Sequence, residues 1–401
     1  MNINTQVERQ INEQSCFSPI EWLIDNGRLT YKDYEQWRKE EVPFLDDCLQ
    51  GDVKKIVLQL NEAAKHATSL GMKKVEINFT SWLQNTSRHI KASHSLALNE
   101  VLASKYIRVV DTPQLDLFFD NPILHIENSL RDALSSRQTE ESQKLLNKLS
   151  EQDPNHSLLH QFENLMAYLC HMDTDIESSS QLTQIAEELE GLETIIEPLA
   201  KECLLAQSRD YLIPAWRRIA FALEGVLFNS NTPKLHASYA WQRTLDWSEV
   251  RKSIEREKDF TLSYDLCGTL SLATFFMGNR EQHISLWCRL FWLDENRAEQ
   301  DIEFQPDNIL TTYWHTFLDQ DDEMEPTWFP PWLLIAESGL AHHLSIDDDK
   351  DSDATPSKQA FNILLELQTL VQNGASEIPL RKKLNDINPT LLNLYQKKRS
   401  T

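Results

Sequence analysis

Apolar residues recur every three or four positions along most of this chain, which is the spacing of α-helices with one buried face. An apolar stripe from Asp52 to Leu70 ends at Gly71, which predicts a helix with a glycine stop. Ser18 to Glu21 has the spacing of a capping box, with Pro19 at the first helical position. The same periodicity resumes after Pro122 and again from Lys358. The pattern as a whole predicts an all-α fold.

A different pattern interrupts the helical one near the N-terminus. Val75, Ile77 and Phe79 alternate with polar residues, which is typical of a short β-strand. The stretch Tyr106 to Val110 is a second candidate strand that would pair with the first. The sequence leaves open whether these stretches form a two-stranded hairpin or a small sheet within an otherwise helical N-terminal module.

These changes of pattern divide the chain into five predicted parts. They are an N-terminal helical module (1–110), a proline-bracketed linker with a candidate docking peptide (111–122), a helical-repeat domain (123–345), an acidic linker (346–357) and a C-terminal helical cap (358–401).

The predicted repeat domain contains one internal periodicity. Tyr239, Val250 and Ile254 are followed 34 positions later by Ala273, Ile284 and Cys288. This period, with its helix-turn-helix layout, resembles a degenerate tetratricopeptide repeat. The pattern departs from that family early in the second helix, where His283 or Ile284 stands in place of a small residue. The resemblance implies a solenoid of stacked helix pairs with a concave surface that binds proteins.

An aromatic cluster at Trp328 to Trp332, with Pro330 and Pro331 inside it, has two interpretations. It is either a rigid corner whose rings seal the core, which we favour, or an aromatic wall that lines a binding groove.

The charge and the cysteine pattern restrict partners and location. Asp and Glu number 62 against 39 Lys and Arg, so the formal net charge is −23 and direct binding to nucleic acid is disfavoured. Six scattered cysteines without a Cys-x-x-Cys pair suit reduced thiols. The N-terminus lacks the layout of a signal peptide, and no apolar run approaches the ~20 residues of a membrane helix. We therefore expect a cytoplasmic protein that binds no membrane.

Motifs for enzymatic chemistry are missing from the sequence. Only nine glycines occur, and none forms a Gly-x-Gly-x-x-Gly or Gly-Lys-Ser/Thr phosphate loop. His342 and His343 are adjacent, but no spaced carboxylate or cysteine completes a metal-ligand set. We expect no cofactor, no metal and no catalytic residue.

One short segment points to a specific class of partner. Pro113 and the pair Asn121-Pro122 bracket the residues Gln114, Leu115, Asp116, Leu117 and Phe118. These five resemble the peptide by which bacterial replication and repair proteins bind the DNA sliding clamp: Gln, Leu, a small or acidic residue, then Leu-Phe. The resemblance implies that Leu117 and Phe118 anchor in a pocket of the clamp while the Gln114 amide is hydrogen-bonded. In the alternative interpretation these apolar residues fold onto the core of the chain itself.

The sequence supports three functional hypotheses. The first is a non-enzymatic bacterial adaptor that docks on the sliding clamp through residues 114–118. The second is a helical-repeat scaffold that binds another protein and does not use the clamp. The third is an enzyme whose site assembles from acidic residues and histidines that are distant in sequence.

Overall fold

The computed structural model describes residues 2–83, 88–108, 122–172, 176, 182–320, 324–342, 344, 355–370 and 377–400. The protein is predominantly helical, as predicted. It divides into two compact units, residues 1–249 and 250–401, so the border falls inside the predicted helical-repeat domain. Of the helices described, none has the length and apolar content needed to cross a bilayer.

The first unit combines helices with short strands. Its helices are α1 (Ile3–Gln14), α2 (Pro19–Asp25), α3 (Tyr31–Arg38), α4 (Val53–Ser69), α5 (Leu96–Leu102), α6 (Pro122–Ser135), α7 (Thr139–Gln152), α8 (Leu159–Met172), α9 (Leu182–Gly191), α10 (Glu197–Leu204), α11 (Ser208–Ala222) and α12 (Ala237–Arg243). One wider turn, Leu192–Ile196, joins α9 to α10. Helix α13 (Trp247–Glu255) spans the border between the units.

Local sequence explains where several of these helices begin and end. The side chain of Asp52 accepts a hydrogen bond from the backbone N–H of Lys54 and so starts α4. Gly71 follows α4 with a φ of +82°, a conformation that glycine adopts without strain. Helix α2 begins at Pro19 as predicted. The predicted capping box is not formed, because Ser18 makes no side-chain cap and the Glu21 carboxylate pairs with Arg209 instead.

A three-stranded antiparallel sheet lies within the N-terminal part of the first unit. Its strands are β1 (Cys16–Phe17), β2 (Met72–Glu76) and β5 (Ser104–Arg108), and β5 is central. The predicted partnership of β2 and β5 is correct, with Val75 opposite Lys105. The strand β1 was not predicted, because two residues are too few to show a period. Phe79 belongs instead to a separate ribbon of β3 (Phe79–Thr80) and β4 (His89–Ile90).

The second unit is built from helices in the part that the structure describes. They are α14 (Tyr264–Phe276), α15 (Arg280–Leu293), α16 (Glu295–Asp301), α17 (Asn308–Leu318), α18 (Phe329–Ala336), α19 (Pro356–Leu370), α20 (Ile378–Ile387) and α21 (Pro389–Ser400). Helices α14 and α15 pack against each other, and the turn between them contains Gly278 at a φ of +75°.

An aromatic cluster forms the core of the second unit. The ring of Phe329, which begins α18, lies 5.1 Å from the ring of Phe291, 5.2 Å from that of Trp314 and 5.6 Å from that of Phe317. Phe329 and Trp314 are each 1% exposed. The interpretation of this segment as a core-sealing corner is therefore correct for Phe329.

All six cysteines are free thiols. Cys16, Cys203, Cys267 and Cys288 are buried, Cys48 is half-buried and Cys170 on α8 is exposed. Burial raises the pKa of Cys203 to about 11 and that of Cys288 to about 12, so these two thiols remain protonated at neutral pH.

The aromatic cluster predicts how the loss of one ring changes the stability of the protein. Phe329→Ala removes a ring in contact with three others and should lower the free energy of unfolding by about 3–5 kcal/mol. Phe304→Ala is the matched control, because Phe304 is 89% exposed and its loss should change the stability by less than about 0.5 kcal/mol. Urea unfolding followed by circular dichroism measures both. Equal effects of the two variants would contradict this account of the core.

Candidate functional site

The predicted docking peptide, Gln114, Leu115, Asp116, Leu117 and Phe118, lies outside the described residues. The elements on either side of it are described. Strand β5 ends at Arg108 and helix α6 begins at Pro122. Both elements line the same polar cleft, to which β5 contributes Lys105 and α6 contributes Asp132.

The polar cleft has a volume of about 460 Å³ and lies within the first unit. It is lined by Tyr34 and Arg38 of α3, by both residues of β3, and by α6. Glu21 of α2 and Asp210 of α11 also line it, and both are 8% exposed. The lining mixes charges of both signs with several hydroxyl groups, so the cleft suits a polar ligand.

Arg38 organises the part of the polar cleft that α3 lines. Its guanidinium carbon lies 4.6 Å from the centre of the Trp82 ring, which is a close cation–π contact. Its Nε donates to the carbonyl oxygen of Thr80 over 3.1 Å, and Nη1 donates to the Tyr34 hydroxyl over 2.7 Å. The flat guanidinium thus fixes the β3–β4 ribbon to α3.

Asp210 accepts hydrogen bonds from two tyrosines of α3. The hydroxyl of Tyr31 donates to Oδ1 over 2.9 Å, and that of Tyr34 donates to Oδ2 over 3.4 Å. Burial raises the pKa of Asp210, against the opposing effects of Arg38 and the Tyr31 hydrogen bond. Burial also raises the pKa of both tyrosines, so their hydroxyls stay protonated and act as donors to the carboxylate.

Glu21 and Asp25 share one half-buried arginine, Arg209. Arg209 Nη1 lies 2.5 Å from Glu21 Oε2, and Nη2 donates to Asp25 Oδ1 over 2.6 Å. Burial raises the pKa of Glu21 from 4.5 to about 7, and the charges of Asp25 and Asp210 act in the same direction. A carboxyl with this pKa exchanges a proton near neutral pH, which is the property required of a general acid or base.

Glu35 of α3 binds three cations. Lys39 Nζ lies 3.1 Å from Oε1, Arg137 Nη2 lies 3.5 Å from the same atom, and Arg217 Nη1 lies 2.5 Å from Oε2. Burial raises the pKa of Glu35, but Arg217 and Lys39 outweigh it, and the net effect is a lowered pKa. Glu35 is therefore ionised at neutral pH and connects α3 to the α6–α7 turn and to α11.

The thiol near the Glu21 carboxyl group is not an activated nucleophile. Cys16 lies close enough to Lys105 and Glu21 to sense both charges, but burial is the largest influence and raises the pKa of its thiol. A protonated, buried thiol is a weak nucleophile.

A second polar cluster, in the second unit, has the residue types of a catalytic triad. The Ser271 hydroxyl lies 2.9 Å from His283 Nδ1, and His283 Nε2 lies 4.0 Å from Asp307 Oδ2. The three residues are between 0% and 4% exposed, and burial lowers the pKa of His283. A substrate has no path to a serine this deeply buried, so the cluster serves the packing of α14 against α15.

His160 and His171 of α8 are not among the residues that line the polar cleft. His160 and His171 are solvent-exposed next to Glu163 and Glu188. The backbone of His342 is described, whereas His343 lies outside the described residues. Among the residues that the structure covers, no group of three or more His, Cys, Asp or Glu side chains is arranged to hold a metal ion.

Searches of protein-family models, curated proteins and solved structures find no match to this chain.

The residues of the polar cleft were not predicted from the sequence. The available signal was a charged residue on a buried helical face, as with Glu21 between Ile20 and Trp22 on α2, and Asp210 beside Tyr211 on α11.

The pKa of Glu21 predicts a specific pH dependence. Between pH 4.5 and 7 the folded protein binds more protons at Glu21 than the unfolded chain does, so its contribution to the free energy of unfolding falls as the pH rises through this window. Glu21→Gln lacks this titration. The stability of the natural protein relative to Glu21→Gln should therefore decrease from pH 4.5 to pH 7.5 in chemical unfolding experiments. A difference that stays constant with pH would contradict the raised pKa.

Because the Arg38 guanidinium stacks on Trp82, its replacement by a lysine, which keeps the charge, should lower the stability of the protein. Arg38→Lys loses the planar contact with Trp82 and one of two hydrogen bonds, and should lower the free energy of unfolding by about 1–2 kcal/mol. The matched control is Arg9→Lys on α1, whose side chain is 48% exposed, where we expect a change within about 0.5 kcal/mol. Urea unfolding measures both variants. If Arg38→Lys is as stable as the control, the guanidinium geometry has no structural role.

Proposed function

We propose that this protein is a non-enzymatic adaptor of the bacterial cytoplasm that docks on the DNA sliding clamp through Gln114 to Phe118. The observation that carries the proposal is that these five residues fill every position of the clamp-binding pattern. In this function the helical units bring a bound protein to sites of replication or repair.

The attachment of the peptide at both ends supports the proposal. Strand β5 is hydrogen-bonded on both sides, to β1 and to β2. Helix α6 is held by Arg131, whose Nε donates to the carbonyl oxygen of Cys203 over 2.7 Å. A docking peptide that starts and ends on folded elements loses less chain entropy on binding than one on a free tail.

The charge of the chain supports an indirect route to DNA. A net charge of −23 repels the phosphate backbone, so a clamp that encircles the duplex would provide the contact that this protein lacks.

We also propose that the helical part is a degenerate tetratricopeptide-like repeat. The 34-residue period of the sequence and the packing of α14 against α15 support this assignment.

In a second candidate function, the helical surface binds another protein and the clamp is not involved. The observation that favours it is an apolar groove in the second unit, described below.

The test is binding of the full-length protein to purified bacterial sliding clamp, measured by isothermal titration calorimetry. Leu117→Ala/Phe118→Ala should weaken binding at least tenfold, because such anchors contribute about 2 kcal/mol or more each. The matched control is Leu58→Ala/Phe304→Ala, which removes one Leu and one Phe that are 69% and 89% exposed and should leave the affinity unchanged. A synthetic peptide of residues 111–122 should compete with the protein.

Three results would overturn the docking proposal. The first is the absence of a heat of binding from the intact protein at about 100 μM, a concentration well above the dissociation constant expected of a specific complex. The second is equal affinity of the two double variants. The third is a loss of helicity in Leu117→Ala/Phe118→Ala but not in the control, which would assign these side chains to the core of the chain.

A further inference from the structure

Three helices of the second unit surround an apolar groove with a volume of about 620 Å³. Helix α18 contacts both α17 and α21, so it forms the floor while the other two form the walls. Trp332 and Ile335 of α18 lie in the floor and are each 5% exposed. We call this feature the helix groove.

Each of the three helices faces the helix groove with the same residue spacing. The lining residues are Ile309, Thr312, Tyr313 and Thr316 on α17, Trp332, Ile335 and Ala336 on α18, and Leu394, Lys397 and Lys398 on α21. Positions i, i+3 and i+4 form one face of an α-helix, and such faces on neighbouring helices make the ridges between which a further helix packs. The shape therefore suits an α-helical ligand.

The exposure of one apolar residue supports an external ligand. Ile309 lies at the helix groove and is 53% exposed, although the buried Trp332 provides an apolar surface in the same groove. An exposed aliphatic residue next to a concave apolar surface is typical of a protein-binding site.

The charges at the helix groove are opposite in sign to those of the whole chain. Lys397 and Lys398 line it and are exposed, and none of the described residues that line it is Asp or Glu. The chain as a whole carries a net charge of −23. The two lysines attract a ligand with carboxylates. The acidic surfaces elsewhere on the chain repel such a ligand and so direct it to the helix groove.

We propose that the helix groove binds an acidic amphipathic α-helix of a partner protein. The apolar face of that helix packs on Trp332, Ile335 and Ile309. Its acidic flank lies along the last turn of α21, beside Lys397 and Lys398. This inference holds whether or not the protein binds the sliding clamp, since it depends on the second unit alone.

The probe for this inference is a fluorescein-labelled 16-residue peptide with Leu at positions i, i+3, i+4 and i+7 and Glu on both flanks. Fluorescence anisotropy with the full-length protein should show saturable binding that weakens as salt increases. Lys397→Glu/Lys398→Glu should reduce the affinity at least tenfold. Ile309→Ser, which removes an exposed apolar contact, should reduce the affinity about three- to tenfold.

Two control variants separate the helix groove from the general surface. Lys382→Glu/Lys383→Glu reverses two exposed charges on α20 that do not line the groove, and Leu318→Ser removes an apolar residue of α17 that is 51% exposed outside it. Both controls should bind the probe as the natural protein does. A probe with Lys in place of Glu should bind weakly to the natural protein and more tightly to Lys397→Glu/Lys398→Glu.

Each of four outcomes would overturn the inference. Equal affinity for the Glu and Lys probes would show that charge does not select the ligand. An equal loss in the control variants would place binding elsewhere. Displacement of the probe by laurate with no salt dependence would identify an acyl chain as the occupant. Self-association that Ile309→Ser abolishes, seen by analytical ultracentrifugation, would identify a second copy of the chain.

Discussion

The structure of the first unit depends on buried acidic groups that must each find a partner. Glu35 and Asp210 lie where α3 packs against α11, and an unpaired carboxylate in such a place destabilises a protein by several kcal/mol. The partners of Glu35 are Arg137 and Arg217, which lie 102 and 182 positions further along the chain. The partners of Asp210 are two tyrosines of α3. Because each pairing requires one relative placement of the two helices, the network selects that placement. An apolar contact alone would tolerate sliding.

The sequence predicted what local spacing determines. The helix Val53–Ser69 follows from an apolar stripe and a glycine stop, and its buried positions include Ile56 and Leu60. Alternation also predicted a strand near Val75, although in β2 only Met72 is buried. In the same way, the density of rings around Phe329 predicted a sealed core.

The sequence could not predict the contacts that join distant segments. Arg38 and Trp82 look like ordinary surface residues until the β3–β4 ribbon brings them together. Glu21 fits a capping box by spacing, yet its carboxylate pairs with Arg209, since an ion partner for a nearly buried carboxylate outweighs a cap worth about 1 kcal/mol. The helix groove could not be predicted either, because its floor and walls come from three helices, and in the sequence Lys397 resembles part of a solvated charge run.

The distribution of the thiols has a practical consequence for spectroscopy. Four of the six cysteines are buried, Cys48 is half-buried, and Cys170 projects from α8 into solvent. A maleimide reagent should thus modify the natural chain first at Cys170, since burial raises the pKa of the Cys48 thiol and slows its reaction. A dye at that position would report on the first unit without any engineered mutation. The native protein therefore carries its own attachment point for single-molecule work.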